Sequence, residues 1–401
     1  MSEKESSFKK RRHLQILGVN VFVDGGFDVI YLAVVFWLLA IGLVMMFSAS
    51  YVSAKYDAKV GYDSMFYIKK QIKFAIIGIA LMFLFSRLNP EFVKKLSPFV
   101  AIVALALLIA VLIKPMQIDG KEDFRRWLWL GFQFQPSEVA KLSLIMLTAM
   151  LMDKYKHQLE TRWWVAPLIL IPTIVFCVLI YREKHLSATI IVACIGLVIM
   201  LLGGADKRWF IYGGMVAVAA VALILVFRNQ LLTGYQVERI DSMFSKDYGD
   251  TVTRWQTNQS LYALGSGGFF GLGLGKSRQK YLFMPEPQND FVFAIVGEEL
   301  GFLRSLLIIL AFVFLVYRGF AIAMKSKSRF ERLLVLGISF KLALQVIFNL
   351  LVVTDVMPNT GISLPFFSAG GTALIMQLVE VGMVLAVSRS GERVRKEVAH
   401  A

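Results

Sequence analysis

Cysteine, histidine and charge are all scarce in this 401-residue chain, and each scarcity removes a class of function. The two cysteines, Cys177 and Cys194, sit inside apolar stretches, where a thiol behaves as a small hydrophobe, so neither a disulfide nor a thiolate metal site is expected. The four histidines have no His-x-x-x-His spacing and the chain has no Cys-x-x-Cys, which argues against a zinc centre. Charged residues make up only 18%, below the roughly 25% of a soluble domain. Hydrophobic residues make up 57%, and the mean hydropathy is +0.65. A water-soluble domain of this size must cover itself with polar side chains, a requirement that lipid removes.

The net charge of +15 raises nucleic acid as a partner. However, the Lys and Arg fall between apolar stretches rather than on one face. That pattern fits basic flanks lying against anionic lipid, and nucleic acid is not expected. Lys9, Lys10, Arg11 and Arg12 resemble the start of a signal peptide, but the first apolar run begins only near Val29 and is long enough to span, so a retained helix is expected.

A crossing needs roughly 17 to 25 apolar residues. Ten stretches qualify or nearly qualify: 29–50, 74–85 extended back to 67, 96–113, 137–152, 163–181, 186–202, 209–227, 291–317, 333–353 and 368–388. The expected fold is all-α, a polytopic membrane protein of about ten helices. It divides into an N-terminal segment 1–28, a membrane domain 29–388 and a tail 389–401. Segments 1–28, 87–95, 153–162, 203–208, 318–332 and 389–401 carry about 22 of the 43 Lys and Arg, at nearly twice the density of the intervening segments. Both termini are therefore expected in the cytoplasm, with one large extracytoplasmic loop at 228–290. A connection that long is usually functional.

Charges inside spans are costly and mark candidate sites. Glu138 and Lys141 share one face at the start of the fourth span, where Pro136 suits a first turn and Ser137 a cap. They are either a structural ion pair or a polar patch in which Lys141 meets a phosphate. Lys341 and Glu380, in the ninth and tenth spans, are similar candidates without a local partner. Arg125, Arg126, Trp127 and Trp129 read equally as interfacial anchors or as an anion-binding pair. The glycine run 265–275 lacks the setting of a phosphate loop and suggests a re-entrant or interfacial hairpin with close backbone packing. Asp247 and Asp250 stand in the large loop, where an aspartate is usually a turn residue.

Four motifs turn these residues into a family pattern. They are Gln-Pro-Ser-Glu-Val-Ala-Lys at 135–141, Gln-Ser-Leu-Tyr-Ala-Leu-Gly-Ser-Gly-Gly at 259–268, the stretch from Gln279 to Gly301 containing Met-Pro-Glu-Pro-Gln-Asn-Asp, and Gly-Ile-Ser-Leu-Pro-Phe-Phe-Ser-Ala-Gly-Gly-Thr at 361–372. Together with Gly-Leu-Val-Met-Met-Phe-Ser-Ala-Ser at 42–50, they make the chain resemble the SEDS family of RodA, FtsW and SpoVE, over nearly its whole length after residue 28. The Pro-Glu-Pro-Gln form and the first-helix motif look closer to the division and sporulation members.

The resemblance implies a glycosyltransferase that polymerises lipid II into β-1,4 glycan outside the membrane, working with a class B penicillin-binding transpeptidase and other divisome or elongation proteins. The family's essential aspartate precedes a proline in the large loop. Gap-free alignment puts Gly249 and Asp250 at those two positions, so the resemblance implies Asp250 as the catalytic base, with Asp247 as second choice. Glu183-Lys184-His185 and Ala369 are further departures from the family's pattern. The implied substrate-binding set is Lys141, Glu138, Arg125, Arg126, Gln259, Ser260 and Asp290, with the cations stabilising charge on the departing diphosphate. No cofactor is required by the sequence, and a divalent cation, Mg or Mn, is left open. Two readings from other classes also stand: a lipid II flippase using the intramembrane charges as a polar path, and a non-catalytic division scaffold.

Overall fold

The computed structural model describes residues 15–16, 18–23, 25–116, 125–159, 161–206, 208–209, 211, 213–215, 219, 223, 252–359 and 361–399, with side chains as far as Gly391. Asp247, Asp250 and most of the seventh expected span, 209–227, lie outside these residues.

Helices dominate. Asp28 caps α1 (Val29–Tyr56) by accepting a hydrogen bond from the Tyr31 amide at 2.9 Å. After α2 (Phe66–Phe85), Asn89 and Pro90 open α3 (Pro90–Ile113), the asparagine accepting from the Glu91 amide. There follow α4 (Pro136–Lys154), α5 (Val165–Arg182), α6 (Leu186–Leu202), α7 (Val252–Gly267), α8 (Val292–Met324), α9 (Arg329–Val353) and α10 (Gly371–Ala399). A capping box, Ser328 with Glu331, starts α9. A short 3-10 helix (Ala58–Val60) follows α1, and there are two short antiparallel pairs: β1 (Gln15–Ile16) with β2 (Val19–Asn20), and β3 (Leu128–Trp129) with β4 (Gln133–Phe134).

Among the described residues six helices are long and apolar enough to cross a membrane: α1, α3, α5, α8, α9 and the Gly371–Gly391 part of α10. The shorter α6 is equally apolar. Helix α4 departs from the span pattern for a physical reason. It packs against α3, α5, α6 and α9, and Ser137, Glu138, Lys141, Ser143 and Thr148 on it are all buried. Protein rather than lipid surrounds it, so it needs less hydrophobicity. Ser137 is not its cap. The helix begins at Pro136 after an extended Gln135, which places Ser137 inside the first turn.

The segment 228–290 is not a plain loop, because α7 occupies 252–267. The glycine run after α7 packs backbone to backbone on α8, as its composition suggested. At Gly301 (φ 77°, ψ 179°) the ladder of α8 breaks. The amides of Phe302 and Leu303 bond instead to the carbonyls of Gly268 and Phe269, while those of Leu272 and Gly273 bond to Glu298 and Glu299. These four bonds replace ladder bonds lost at the break, as irregular backbone inside a membrane protein requires. A Cβ on Gly271 would lie 2.2 Å from the Glu299 carbonyl oxygen, so the approach admits no side chain.

Candidate active site

One polar cavity of about 470 Å³ opens where α2, α4, α6, α9 and α10 meet four connections. Its cationic wall comes from Arg126 and Lys141, and its acidic wall from Glu138, Glu286 and Asp290. The Lys141 ammonium lies 2.6 Å from Glu138, with side-chain exposures of 3% and 6%. The i, i+3 spacing in the first turn of α4 produces this pair, as the sequence suggested.

Beneath it is a second pair. Lys341 on α9 meets Glu380 on α10 at 2.5 Å, with side-chain exposures of 0% and 3%. Neither has a local partner, as the sequence suggested; they partner each other, 39 positions apart. Both members interact electrostatically with Glu138. The four charges thus form one buried, formally neutral group, with one pair lining the cavity and the other below.

The connections are held as firmly as the helices. Asn349 on α9 donates through one amide nitrogen to the carbonyls of Asp290 and Ile362, both at 2.8 Å. Gln71 on α2 donates to the Ser368 carbonyl and accepts from the Gly370 amide. The Ala369 amide donates to the Gln288 carbonyl at 2.8 Å, which joins the two motif loops directly. Upstream of them, Glu298 and Glu299 act as a double staple. Glu299 accepts from Ser48, the Gly275 and Ser277 amides and Lys280, while Glu298 accepts from Ser277 and the Arg278 and Gln279 amides. These bonds fix 275–280, which leads into the wall at 286–290.

The remaining sequence candidates divide. Asp290 and Arg126 line the cavity. Arg125 is exposed beside it and donates to the Leu112 carbonyl at 3.1 Å. Gln259 and Ser260 are buried in α7 and are not among its lining residues. Ser260 donates to the Val353 carbonyl at 2.7 Å, and near it Trp255 and Gln256 donate to the Phe283 and Pro285 carbonyls. Ser260 of the family-like Gln-Ser motif thus ties α7 to the end of α9, while Trp255 and Gln256 tie it to the connection that leads into the cavity wall at 286. Gln133, His185 and Gln345 also line it, and the sequence reading passed over all three. Only His185 carried a signal, its place in the departing Glu183-Lys184-His185 stretch. Among the described residues no three His, Cys, Asp or Glu side chains gather as a metal site.

The sequence model of the FtsW, RodA and SpoVE group, described as a cell cycle protein family, matches residues 28–393. The chain belongs to this family. Stage V sporulation protein E of Bacillus subtilis is 36% identical over 366 residues, covering 90% of this chain and 97% of that protein. The probable peptidoglycan glycosyltransferase FtsW of Trichlorobacter lovleyi is 34% identical over 364 residues, covering 90% and 93%. Among solved structures, one from work on polymerization and crosslinking by a peptidoglycan synthase complex superposes with a TM-score of 0.71 at 27% identity, covering 91% of this chain and 98% of the other. The crystal structure of the rod shape determining protein RodA of Thermus thermophilus gives 0.66 at 27%, covering 90% and 97%. Membership of the family and an all-α, multi-pass membrane architecture are thus common ground between sequence and structure.

Proposed function

We propose that this chain is a peptidoglycan glycosyltransferase that polymerises lipid II on the outer face of the bacterial cytoplasmic membrane, in division or sporulation. The observation that carries the reading is the cavity itself: two cations and three carboxylates gathered by the family's motifs, in a chain alike over nine-tenths of its length to proteins named for this activity.

In the reaction a sugar hydroxyl of one chain attacks the anomeric carbon of another. The new glycosidic C–O bond forms as the bond from that carbon to the diphosphate oxygen breaks, so the configuration inverts from α to β. The hydroxyl proton passes to a carboxylate base, and the polyprenyl diphosphate leaves with the bonding pair. Arg126 and Lys141 stabilise its charge. Asp250 is the base we assign, with Asp247 as the alternative; both precede α7 in the sequence.

Orientation follows the charge bias, with both termini cytoplasmic and the cavity outside. The hydrogen-bond pattern supports it: Asp28 bonds with Arg318 and Ser388, gathering the starts and ends of α1, α8 and α10 at the end of the bundle opposite the cavity. The partner is a class B penicillin-binding transpeptidase, a reading supported by the likeness to a subunit from work on a synthase complex.

Purified protein incubated with lipid II should yield glycan strands resolved on a gel. Asp250→Asn should lower the rate by at least the ~10²-fold typical of a lost general base. Loss in Asp247→Asn with full activity in Asp250→Asn moves the assignment by three residues, and full activity in the double variant removes the carboxylate mechanism. A chelator arm decides whether a divalent cation takes part.

A further inference from the structure

The proposed chemistry leaves one buried carboxyl unused. Glu183 closes α5 and is fully buried, yet among the described residues neither of its carboxyl oxygens accepts a hydrogen bond. An unsatisfied group of this kind is costly and calls for a role. Lys184, the next residue, has φ 56°, a left-handed conformation that a lysine adopts only under constraint. His185 then faces the cavity.

The first two of these features converge on Arg126. Its Nη2 donates to the carbonyl of Lys184, the group that the left-handed turn presents. Its charge also acts on Glu183. We infer that the 183–185 connection is a positioning cradle for Arg126, in which the Lys184 carbonyl, presented by the left-handed turn that the buried Glu183 side chain anchors, sets the guanidinium on the cavity wall to receive the diphosphate of a lipid-linked sugar donor. This rests on the proposed glycosyltransferase reading for the identity of the anion.

A carboxylate beside Arg126 would cancel the field needed to attract an anion. Burial instead pushes the Glu183 carboxyl up to about 9, and Arg126 offsets only part of that rise. The cradle is therefore neutral at pH 7. It orients the guanidinium and leaves its positive charge directed at the cavity. Guanidinium recognition of phosphate depends on fork geometry as well as charge, so a tilted Arg126 loses bidentate contact even while still charged.

The test measures binding of undecaprenyl diphosphate to the purified protein, alongside KM and kcat for lipid II polymerisation. Glu183→Ala should loosen the turn that presents the Lys184 carbonyl, and so weaken diphosphate binding and raise KM by roughly 10-fold, the scale of the one charge-assisted bond from Arg126 to that carbonyl, with kcat within about twofold. Glu183→Gln, neutral and of the same shape, should stay near wild type. In an Arg126→Ala background, Glu183→Ala should add nothing, because the two act as one unit. If Glu183→Ala folds poorly, Glu183→Leu fills the space without the oxygens and should show the same weakened binding. Wild-type binding in the folded Ala or Leu variant, or effects that multiply with Arg126→Ala, would overturn the cradle. A wild-type protein that binds the diphosphate and polymerises nothing would sink the glycosyltransferase reading while leaving the cradle standing.

Discussion

Lys341 and Glu380 meet at 2.5 Å in the middle of the bundle, joining α9 to α10 beneath the cavity. A buried pair is a poor source of net stability, because desolvation offsets the attraction, but breaking it strands a charge. Lys341→Met should therefore destabilise the protein by about 3–5 kcal/mol. The double variant Lys341→Met with Glu380→Leu should recover most of that loss. Thermal unfolding in detergent checks both, and a double variant no better than the single would show that the pair is not the unit.

The Lys141 pair is expected to behave differently, because it lines the cavity. Lys141→Ala should weaken lipid II use by roughly 10- to 150-fold, the range for a lost charge-assisted contact, and Lys141→Arg should lose less. Parental kinetics in Lys141→Ala at equal abundance would make the residue purely structural.

Glu183 also has a pH signature. Its carboxyl titrates at about 9 in the fold against an ordinary value of 4.5. Between those values the folded protein holds a proton that the unfolded chain has released, so this group's contribution is fully present below pH 4.5 and is lost as pH rises through 9. Glu183→Gln removes the dependence. The variant should match wild type at the acid end of the range and exceed it in stability at pH 8, measured by unfolding at both values. A constant difference across pH would contradict the assignment.

The glycine run supplies an internal comparison. Gly271 has φ 79° and no room for a Cβ, whereas Gly265 sits in α7 with no atom within 4 Å of where one would stand. Gly271→Ala should cost at least the ~1–3 kcal/mol of a strained backbone and lower the unfolding temperature. Gly265→Ala should be neutral or stabilising by up to about 1 kcal/mol.

Much of this was legible in the sequence where one period or one motif decided it. The 186–202 stretch is a helix over the expected residues, and the i, i+3 rule placed Glu138 against Lys141. What stayed hidden needed tertiary information. Lys341 and Glu380 are far apart in the chain, so no local rule pairs them. Helix α4 is weakly apolar because other helices surround it, and hydropathy reads lipid contact rather than burial. Gln259 and Ser260 looked like ligands from their motif, while Ser260 spends its hydroxyl on the Val353 carbonyl and neither residue lines the cavity. The 183–185 cradle was visible only as a departure from the family's pattern, and its purpose appears once Arg126 arrives from 58 positions away.

The neutral group of four charges at the cavity's inner end also bears on direction of travel. A head group passing inward from the cavity would have to part Lys141 from Glu138 and then Lys341 from Glu380, each separation leaving naked charge in a medium that solvates it poorly. The cavity is therefore a blind alley rather than a corridor: a substrate that enters it reacts and leaves by the way it came.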